Sequence, residues 1–424
     1  MIEISRALEL VRQHAARLPA CRVRLDQSLG LVLAEAIVSD VDSPPHDKAM
    51  VDGYAVIAAD LQQGPVSLQV LEEVAAGAVP TRPLMPGRAT RIMTGAPIPV
   101  GADAVVMVEQ TEPEGAGGVR VTGEPSGVRA GQHILPRGTS LSRGEVVLGA
   151  GRVLRPIDVG LLAETGWAEV PVYRRPRVAV VATGSELVPV DATPGAGQIR
   201  NSNQPMLAAL VEQHGGCPVV LGTVPDRREA LRAAIEQGLR EDVLVLSGGV
   251  SAGALDLVPQ VLSEAGVQQL FHKVRLKPGK PVWFGVVPAG AAAASAGVPR
   301  LVFALPGNPV GALVSFHLFV RPALAWLAGR ADAVWRAEAG VLTNGYVQRG
   351  DRPAYVPAEG AEPAVESGGS RWGPQGAGQP LRVRPVPWHG SADLRALAAA
   401  DCLIYFPAGD RAHPAGEAVD VYRL

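Results

Sequence analysis

Between residues 175 and 330 the sequence alternates short β-branched runs with segments of helical period, a rhythm that a sheet fed by crossover helices satisfies. "RVAVVATGSEL" is a strand that ends in a glycine turn, and "NSNQPMLAALVEQHGG" has helical spacing with a glycine stop. "PVVLGTVPD" returns to strand. "RREALRAAIEQGLRE" then sets Ala230, Leu231, Ala234, Ile235 and Leu239 on one helical face. "DVLVLSGGVS" reads as a buried strand and "LDLVPQVLSEAG" as a helix. "RLVFALPGNPVGALVSFHLFVRPALAWLAG" closes the series with strand, Gly/Pro loop and long helix. Units of this length are right-handed and parallel. The expectation is a central α/β domain over 175–330 whose parallel sheet is covered on both faces.

The flanks follow other rules. A chain of 424 residues exceeds one ordinary core and divides into several domains. Residues 1–43 give an N-terminal helix and the start of a connecting domain, which resumes over 144–174 with a short helix and strands. Residues 44–143 are rich in Val, Gly and Pro with few helical runs, the mark of a β-rich inserted domain. Residues 331–424 read as a C-terminal β domain, with the Gly-heavy "AEGAEPAVESGGSRWGPQGAGQP" as a hairpin or loop. The predicted class is therefore α/β plus β, in several domains.

Bulk properties exclude several functions. The formal net charge of −2 supplies no global field toward nucleic acid or acidic membrane, so any anion must be held locally. Cys21, Cys217 and Cys402 lie far apart without metal-ligand or CxxC spacing, as expected of reduced thiols in a cytosolic protein. The amphipathic "MIEISRALELVRQHAARL" lacks the apolar core of a signal peptide. The apolar region from Val282 to Val320 is interrupted by Arg300, prolines and glycines and is not a membrane span. These readings predict a cytoplasmic protein.

Ligands of an open parallel sheet bind beyond the carboxyl ends of its strands. Three such ends carry small polar turns leading into helices. They are "TGSE", with Thr183, Gly184 and Glu186; "SGGVS", with Ser247, Gly248, Gly249 and Ser251; and "PGNP", with Pro306, Gly307, Asn308 and Pro309. Glycine admits a ligand close to backbone N–H groups, and helix N-termini carry partial positive charge, so together the turns form a phosphate cradle. None is a Walker A loop and no G-x-G-x-x-G opens the first unit, which weakens nucleotide-hydrolase and dehydrogenase readings. Glu186, Asp226 and Asp256 fall on the same edge. Carboxylates beside phosphate call for a hard cation between them, and Mg²⁺ meets that need. Asp226 also directly precedes a helix and could equally be its N-cap.

The lysines point the same way. The chain has four, all its other basic residues being arginine, and three of the four (Lys273, Lys277 and Lys280) cluster in "HKVRLKPGKP". Ammonium is a compact point charge suited to a small oxyanion, whereas guanidinium is a planar fork. The fourth, Lys48, sits in "PPHDKAMVDGYAV" beside Asp47 and Asp52.

The segments "MVDGYAV", "RIMTGAPIPVGADAVVMVEQ", "ATGSEL", "SGGVSAGALD", "KVRLKPGKP", "LPGNPVGALVSF" and "GSADLRALAAADCLIYFPAG" occur in this order along nearly the whole chain. The sequence thereby resembles the molybdopterin molybdenumtransferases, molybdenum insertases of molybdenum-cofactor biosynthesis whose animal relative is the gephyrin E domain. The resemblance implies insertion of molybdate into adenylylated molybdopterin with release of AMP, assisted by Mg²⁺. It implies an elongated homodimer of four-domain subunits, with a site between the α/β domain of one chain and the β domain of the other.

Carried over residue by residue, it implies catalytic roles for Asp52, Thr94, Glu186, Asp226, Asp256, Lys273 and Lys277, with Glu186 and Asp256 on the metal. It puts Lys280, Ser391 and the three turns around the cofactor, with Pro306 and Pro309 near molybdate and the pterin phosphate. Two positions depart from the family pattern. Thr139 and Ser140 stand where relatives often have an acidic pair, and Pro357 stands where they tend to have arginine. The alternatives are a molybdopterin adenylyltransferase, whose domain is close in fold to residues 175–330 and which as a separate protein is a possible partner, and a non-catalytic dimeric scaffold.

Overall fold

The computed structural model describes residues 1–62, 66–122, 124–250, 257–290, 298–331, 333–360 and 380–424. Ser251 and Asp256 lie outside the described residues, as does most of the Gly-heavy segment after Gly360.

At the centre stands the α/β domain. Its elements are β1 (Arg177–Thr183), α1 (Asn203–Gln213), β2 (Cys217–Val224), α2 (Arg228–Gly238), β3 (Val243–Ser247), α3 (Val258–Glu264), β4 (Gln268–His272), β5 (Trp283–Val287), β6 (Arg300–Leu305) and α4 (Pro309–Ser315). The strands form one six-stranded sheet in the order β2-β1-β3-β6-β5-β4. Alternate residues feed opposite faces. Val178, Val180, Val243 and Val245 pack under α1 and α4, while Ala179, Val181, Leu244 and Leu246 pack under α2 and α3. Both faces are covered, so these strands need apolar residues at every position.

The sheet departs from the all-parallel expectation at one edge. β1, β2, β3 and β6 are mutually parallel, but β5 runs antiparallel to β6 and β4 antiparallel to β5. Antiparallel neighbours require no crossover helix. The connection from β4 to β5, residues 273–282, is thus free to be the lysine segment. Because His272 pairs with Trp283 and Trp283 with Ala304, that segment emerges at the carboxyl end of β6. Reversal of the edge strands delivers Lys277 and Lys280 to the ligand-binding rim.

After α4 the chain continues through one π-helical turn, Phe316–Val320, into a last helix, Arg321–Leu327. The stretch Pro309–Leu327 is long and apolar enough to cross a membrane, yet it is buried almost throughout as a core element. The N-terminal helix Ile4–His14 sends Ala7 and Val11 into the same core.

Three further bodies surround this domain. Strands Ala20–Arg24, Glu169–Tyr173 and Val32–Leu33 form a small sheet accompanied by helix Pro156–Glu164. A six-stranded sheet within residues 53–121 holds Asp52 at the start of its strand Gly53–Val56. At the C-terminus five strands, Glu338–Leu342, Leu381–Pro385, Ala354–Gly360, Cys402–Phe406 and Ala418–Arg423, close into a barrel. The multi-domain α/β plus β class is the one observed.

Candidate active site

A cleft of about 1510 Å³ opens along the carboxyl edge of the central sheet, between its loops and the C-terminal barrel. The loop after β1 is bent by Gly184, whose N–H donates to the Val224 carbonyl at 3.1 Å. Glu186 folds its carboxylate back over that glycine, both oxygens lying 2.7 Å from where a Cβ would stand. Asp226 does not cap α2, whose N-cap is Arg227 without a side-chain bond. Instead its Oδ2 accepts from the Ser185 N–H at 3.3 Å, while its own N–H donates to the Ser185 hydroxyl at 3.1 Å. The loops after β1 and β2 are tied together by that exchange.

Close approach decides the next loop. Gly248 and Gly249 have φ of +101° and +67°, and a Cβ on Gly248 would collide with the Thr183 carbonyl oxygen. Only glycine meets both demands at once. Asn203, at the start of α1, pins this loop to the third: its Nδ2 donates to the Ser247 hydroxyl at 2.8 Å and to the Gly307 carbonyl at 2.6 Å. A carbonyl can only accept, which fixes the orientation of the amide. Asn308 then begins α4 and donates from Nδ2 to the Ser391 hydroxyl at 2.7 Å, while the Ser391 carbonyl accepts from the Val310 N–H at 3.1 Å. The barrel is thereby docked onto the third loop.

The lysine segment forms the opposite lip. The Lys277 N–H donates to the Pro353 carbonyl, and its own carbonyl accepts from the Tyr355 N–H, so this residue pairs with the barrel as an extra strand would. Lys277 and Lys280 both line the cleft. Gly279, at φ +118°, fits against Leu276 and the Ser315 hydroxyl.

Of the residues expected from the sequence, the structure gathers Thr183, Gly184, Glu186, Asp226, Ser247, Gly248, Gly249, Lys277, Lys280, Pro306, Gly307, Asn308, Pro309 and Ser391 around one space. Lys273 is not among the lining residues. It takes a left-handed φ of +71°, and its backbone binds Val282 and Ile2. Asp52 and Thr94 also lie outside this cleft, on the inserted sheet. There Asp52 Oδ1 accepts from the Thr94 N–H and hydroxyl, each at 2.7 Å. The Thr94 N–H, then its hydroxyl, hold the Asp52 carboxyl below the usual carboxylate range.

Sequence reading missed several lining residues. Arg200, Asn201 and Asn203 belong to "IRNSNQ", where buried Asn201 donates to the Thr223 hydroxyl at 2.9 Å and buried Gln204 donates to the carbonyls of Val180 and Gly222. Three amides at the head of an apolar helix were the available signal. Tyr346, Arg352 and Trp388 come from the C-terminal domain, which periodicity does not bring near the sheet. Pro357 is buried in its strand, away from the cleft, while Arg352 reaches it from the lead-in of the same strand and donates to the Leu276 carbonyl at 2.9 Å. Thr139 and Ser140 sit exposed in a turn of the inserted domain, the Thr139 hydroxyl donating to the Pro136 carbonyl.

Among the described residues Glu186 and Asp226 form no ion pair with a protein cation, and no group of three His, Cys, Asp or Glu residues is placed to hold a metal. The cleft therefore combines unneutralised carboxylates, two ammonium groups and glycine loops. Such a set suits a polyanion whose charge is partly offset by a hard cation.

Known proteins bear on what that polyanion is. Residues 2–166 match the family profile described as "MoeA N-terminal region (domain I and II)", residues 179–326 the "Probable molybdopterin binding domain", and residues 375–424 the "MoeA C-terminal region (domain IV)". The molybdopterin molybdenumtransferase of Staphylococcus aureus strain MSSA476 is 32% identical over 99% of this chain and 95% of its own length. That of Bacillus subtilis strain 168 is 34% identical over 94% of this chain and 88% of its own. The crystal structure of the molybdopterin biosynthesis MoeA protein from Pyrococcus horikoshii superposes with a TM-score of 0.82 at 30% identity, covering 100% of this chain and 99% of that one. Agreement at this level over nearly the whole length makes this chain a member of the molybdopterin molybdenumtransferase family.

Proposed function

We propose that this chain inserts molybdate into adenylylated molybdopterin and releases AMP, the transferase step that loads the metal in molybdenum-cofactor biosynthesis. One observation carries the reading: a single cleft has Lys277 and Lys280 on its lip and Glu186 and Asp226 on its floor loops. Ammonium groups of this kind hold a small tetrahedral oxyanion such as molybdate from several directions. The glycine loops and the N-terminus of α4 receive the phosphates.

The carboxylates fit Mg²⁺ as the assisting cation. They offer hard oxygens without a competing protein cation, and Mg²⁺ is commonly held by one or two carboxylates with phosphate oxygens and water filling the remaining positions. Glu186 would hold it, with Asp226 alongside, and Asp256 joins the proposed set by its place in the sequence. Bound there, the cation supplies charge neutralisation at the phosphoanhydride.

The chain's own groups do the rest. Lys277 and Lys280 draw molybdate toward the dithiol of the pterin, and the turn N–H groups keep the pyrophosphate still. The two sulfurs replace two molybdate oxygens. One departs as water with the two thiol protons, and the other forms a bond to phosphorus as the P–O–P linkage breaks and AMP leaves. Orientation and electrostatic preorganisation account for the acceleration.

Asp52 and Thr94 enter this reading through a second copy. They form a rigid, exposed carboxylate–threonine unit that their own cleft does not contain, which supports a homodimer in which each inserted domain serves the other chain's sheet edge. Lys273 stands at the base of the lysine segment and serves by shaping it. A cytoplasmic location, with a molybdopterin adenylyltransferase supplying the substrate, completes the proposal.

The test is AMP release by the purified protein from adenylylated molybdopterin, with molybdate present or omitted. AMP that appears only with molybdate is the expected result. Consumption of ATP with unmodified molybdopterin would make the protein an adenylyltransferase instead, and no turnover of either kind would return it to a scaffold.

A further inference from the structure

Aromatic residues are scarce in this chain, with six each of Trp, Tyr and Phe in 424 residues. Among the described residues two of them, Tyr346 and Trp388, line the cleft. Both belong to the C-terminal domain, Tyr346 on a two-stranded ribbon with Arg411–His413 and Trp388 just after the barrel strand Leu381–Pro385, and each is held firmly. Tyr346 stacks on buried Phe406 with ring centroids 4.5 Å apart and planes 17° from parallel. The Trp388 indole packs against both the barrel core and the core under α1 and α4.

The turn that carries Trp388 is fixed as well. Asp393 accepts from the His389 N–H at 3.0 Å and from the Ala396 N–H at 3.0 Å, capping the helix Leu394–Ala399. Ser391, three residues after Trp388, is bonded to Asn308 and Val310 of the third loop. On the other side, Arg349, three residues after Tyr346, accepts from the Lys277 ammonium at 3.1 Å. The aromatic pair thus stands on chain segments bonded to the lysine lip and the "PGNP" turn.

We infer that Tyr346 and Trp388 form a stacking wall for the pterin ring of the substrate, and that they are specificity-determining residues. The inference rests on the function proposed above and adds where the ring lies. In an adenylylated molybdopterin the dithiol that receives the metal is borne by the pterin's own ring system, whereas the adenine lies beyond the pyrophosphate. A flat ring beside the oxyanion-holding lysines is therefore the pterin. Indole and phenol faces stack with fused nitrogen heterocycles, and removal of such a face typically weakens ring binding by about tenfold or more.

The experiment measures equilibrium binding of three probes to the full-length protein: pterin-6-carboxylate, AMP with Mg²⁺, and molybdate. Comparison is made with Trp388→Ala, Trp388→Phe and Tyr346→Leu. Trp388→Ala is expected to weaken pterin-6-carboxylate by about tenfold, with Trp388→Phe recovering most of the loss and AMP and molybdate staying within about twofold. Circular dichroism and retained molybdate binding certify the fold of each variant, and Tyr346→Leu tests the wall should Trp388→Ala not fold. Unchanged pterin binding in the folded variants would overturn the inference, as would a loss confined to AMP, or a wild-type protein that does not bind the pterin. Failure of molybdate-dependent AMP release alongside Trp388-dependent pterin binding would sink the proposed reaction and leave the wall standing.

Discussion

The Lys277 ammonium donates to the carbonyl oxygen of Arg349 at 3.1 Å, across the seam between the α/β domain and the C-terminal barrel. Its backbone is paired with the same barrel through Pro353 and Tyr355. The lysine is thus aimed from both ends. Lys277→Gln keeps a polar side chain one bond shorter and loses the charge, and it should lower molybdate-dependent AMP release by about 10²-fold or more while leaving the circular dichroism spectrum unchanged. Lys277→Arg should restore little, because a planar fork does not replace a point charge. Full activity in Lys277→Gln would remove this residue from the chemistry.

Thr94 holds the Asp52 carboxyl below its ordinary range. Thr94→Val deletes the hydroxyl donor but keeps the backbone one, so the carboxyl should move back up toward the ordinary carboxylate range. A group with a depressed value is ionised above it and loses its charge as pH falls through it. The acid limb of the AMP-release profile should therefore shift to higher pH in Thr94→Val and stay in place in Thr94→Ser. Coincident profiles for all three proteins would contradict a role for the ionised Asp52.

Gly248 tests the cradle. Alanine there is strained twice, by the φ of +101° and by the approach to the Thr183 carbonyl. Gly248→Ala should cost about 1–3 kcal/mol of stability and abolish AMP binding. Gly149→Ala, where nothing lies within 4 Å of the added carbon, should leave both untouched. Differential scanning calorimetry and AMP titration check the pair.

Two histidines, His317 buried and His214 half-buried, should limit acid stability. Burial pushes His317 down to about 3 and His214 down to about 4, helped by nearby positive groups. Below about pH 6.5 an unfolded chain takes up protons that these rings refuse until far lower pH, so stability is lost as the pH falls through that window. For the buried His317 ring this is on the order of 1.4 kcal/mol per pH unit, and for the partly exposed His214 ring solvent screening makes it less. His317→Phe preserves a ring stacked on Trp335, whose centroid lies 4.5 Å away, and removes one titration. Urea midpoints at pH 7 and pH 5 should differ less in the variant than in the wild type; equal differences would refute this.

The sheet and its loops were legible because their signals are local. A strand buried on both faces, as residues 178–182 are, must be apolar throughout that stretch, and the turn that follows must be glycine where backbones nearly touch. The reversal of β4 and β5 was not legible. A five-residue apolar run such as Trp283–Val287 carries no mark of direction, and direction alone places Lys277 at the rim. Asn203 was missed for a similar reason: its value lies in joining Ser247 to Gly307, residues 44 and 104 positions away. Tyr346 and Trp388 were missed because nothing short of the closed barrel brings them to the sheet. Asp226 stood open between cap and site, and its bond to Ser185 excludes the cap.

The parallel bridge from Lys277 to Ala354 makes one residue a shared possession of two bodies. Neither could be inherited alone and keep the reactive ammonium where it now points. Any slip of the barrel against the sheet would carry the lysine along with the joint, so the two bodies keep their alignment or lose the ammonium's position together.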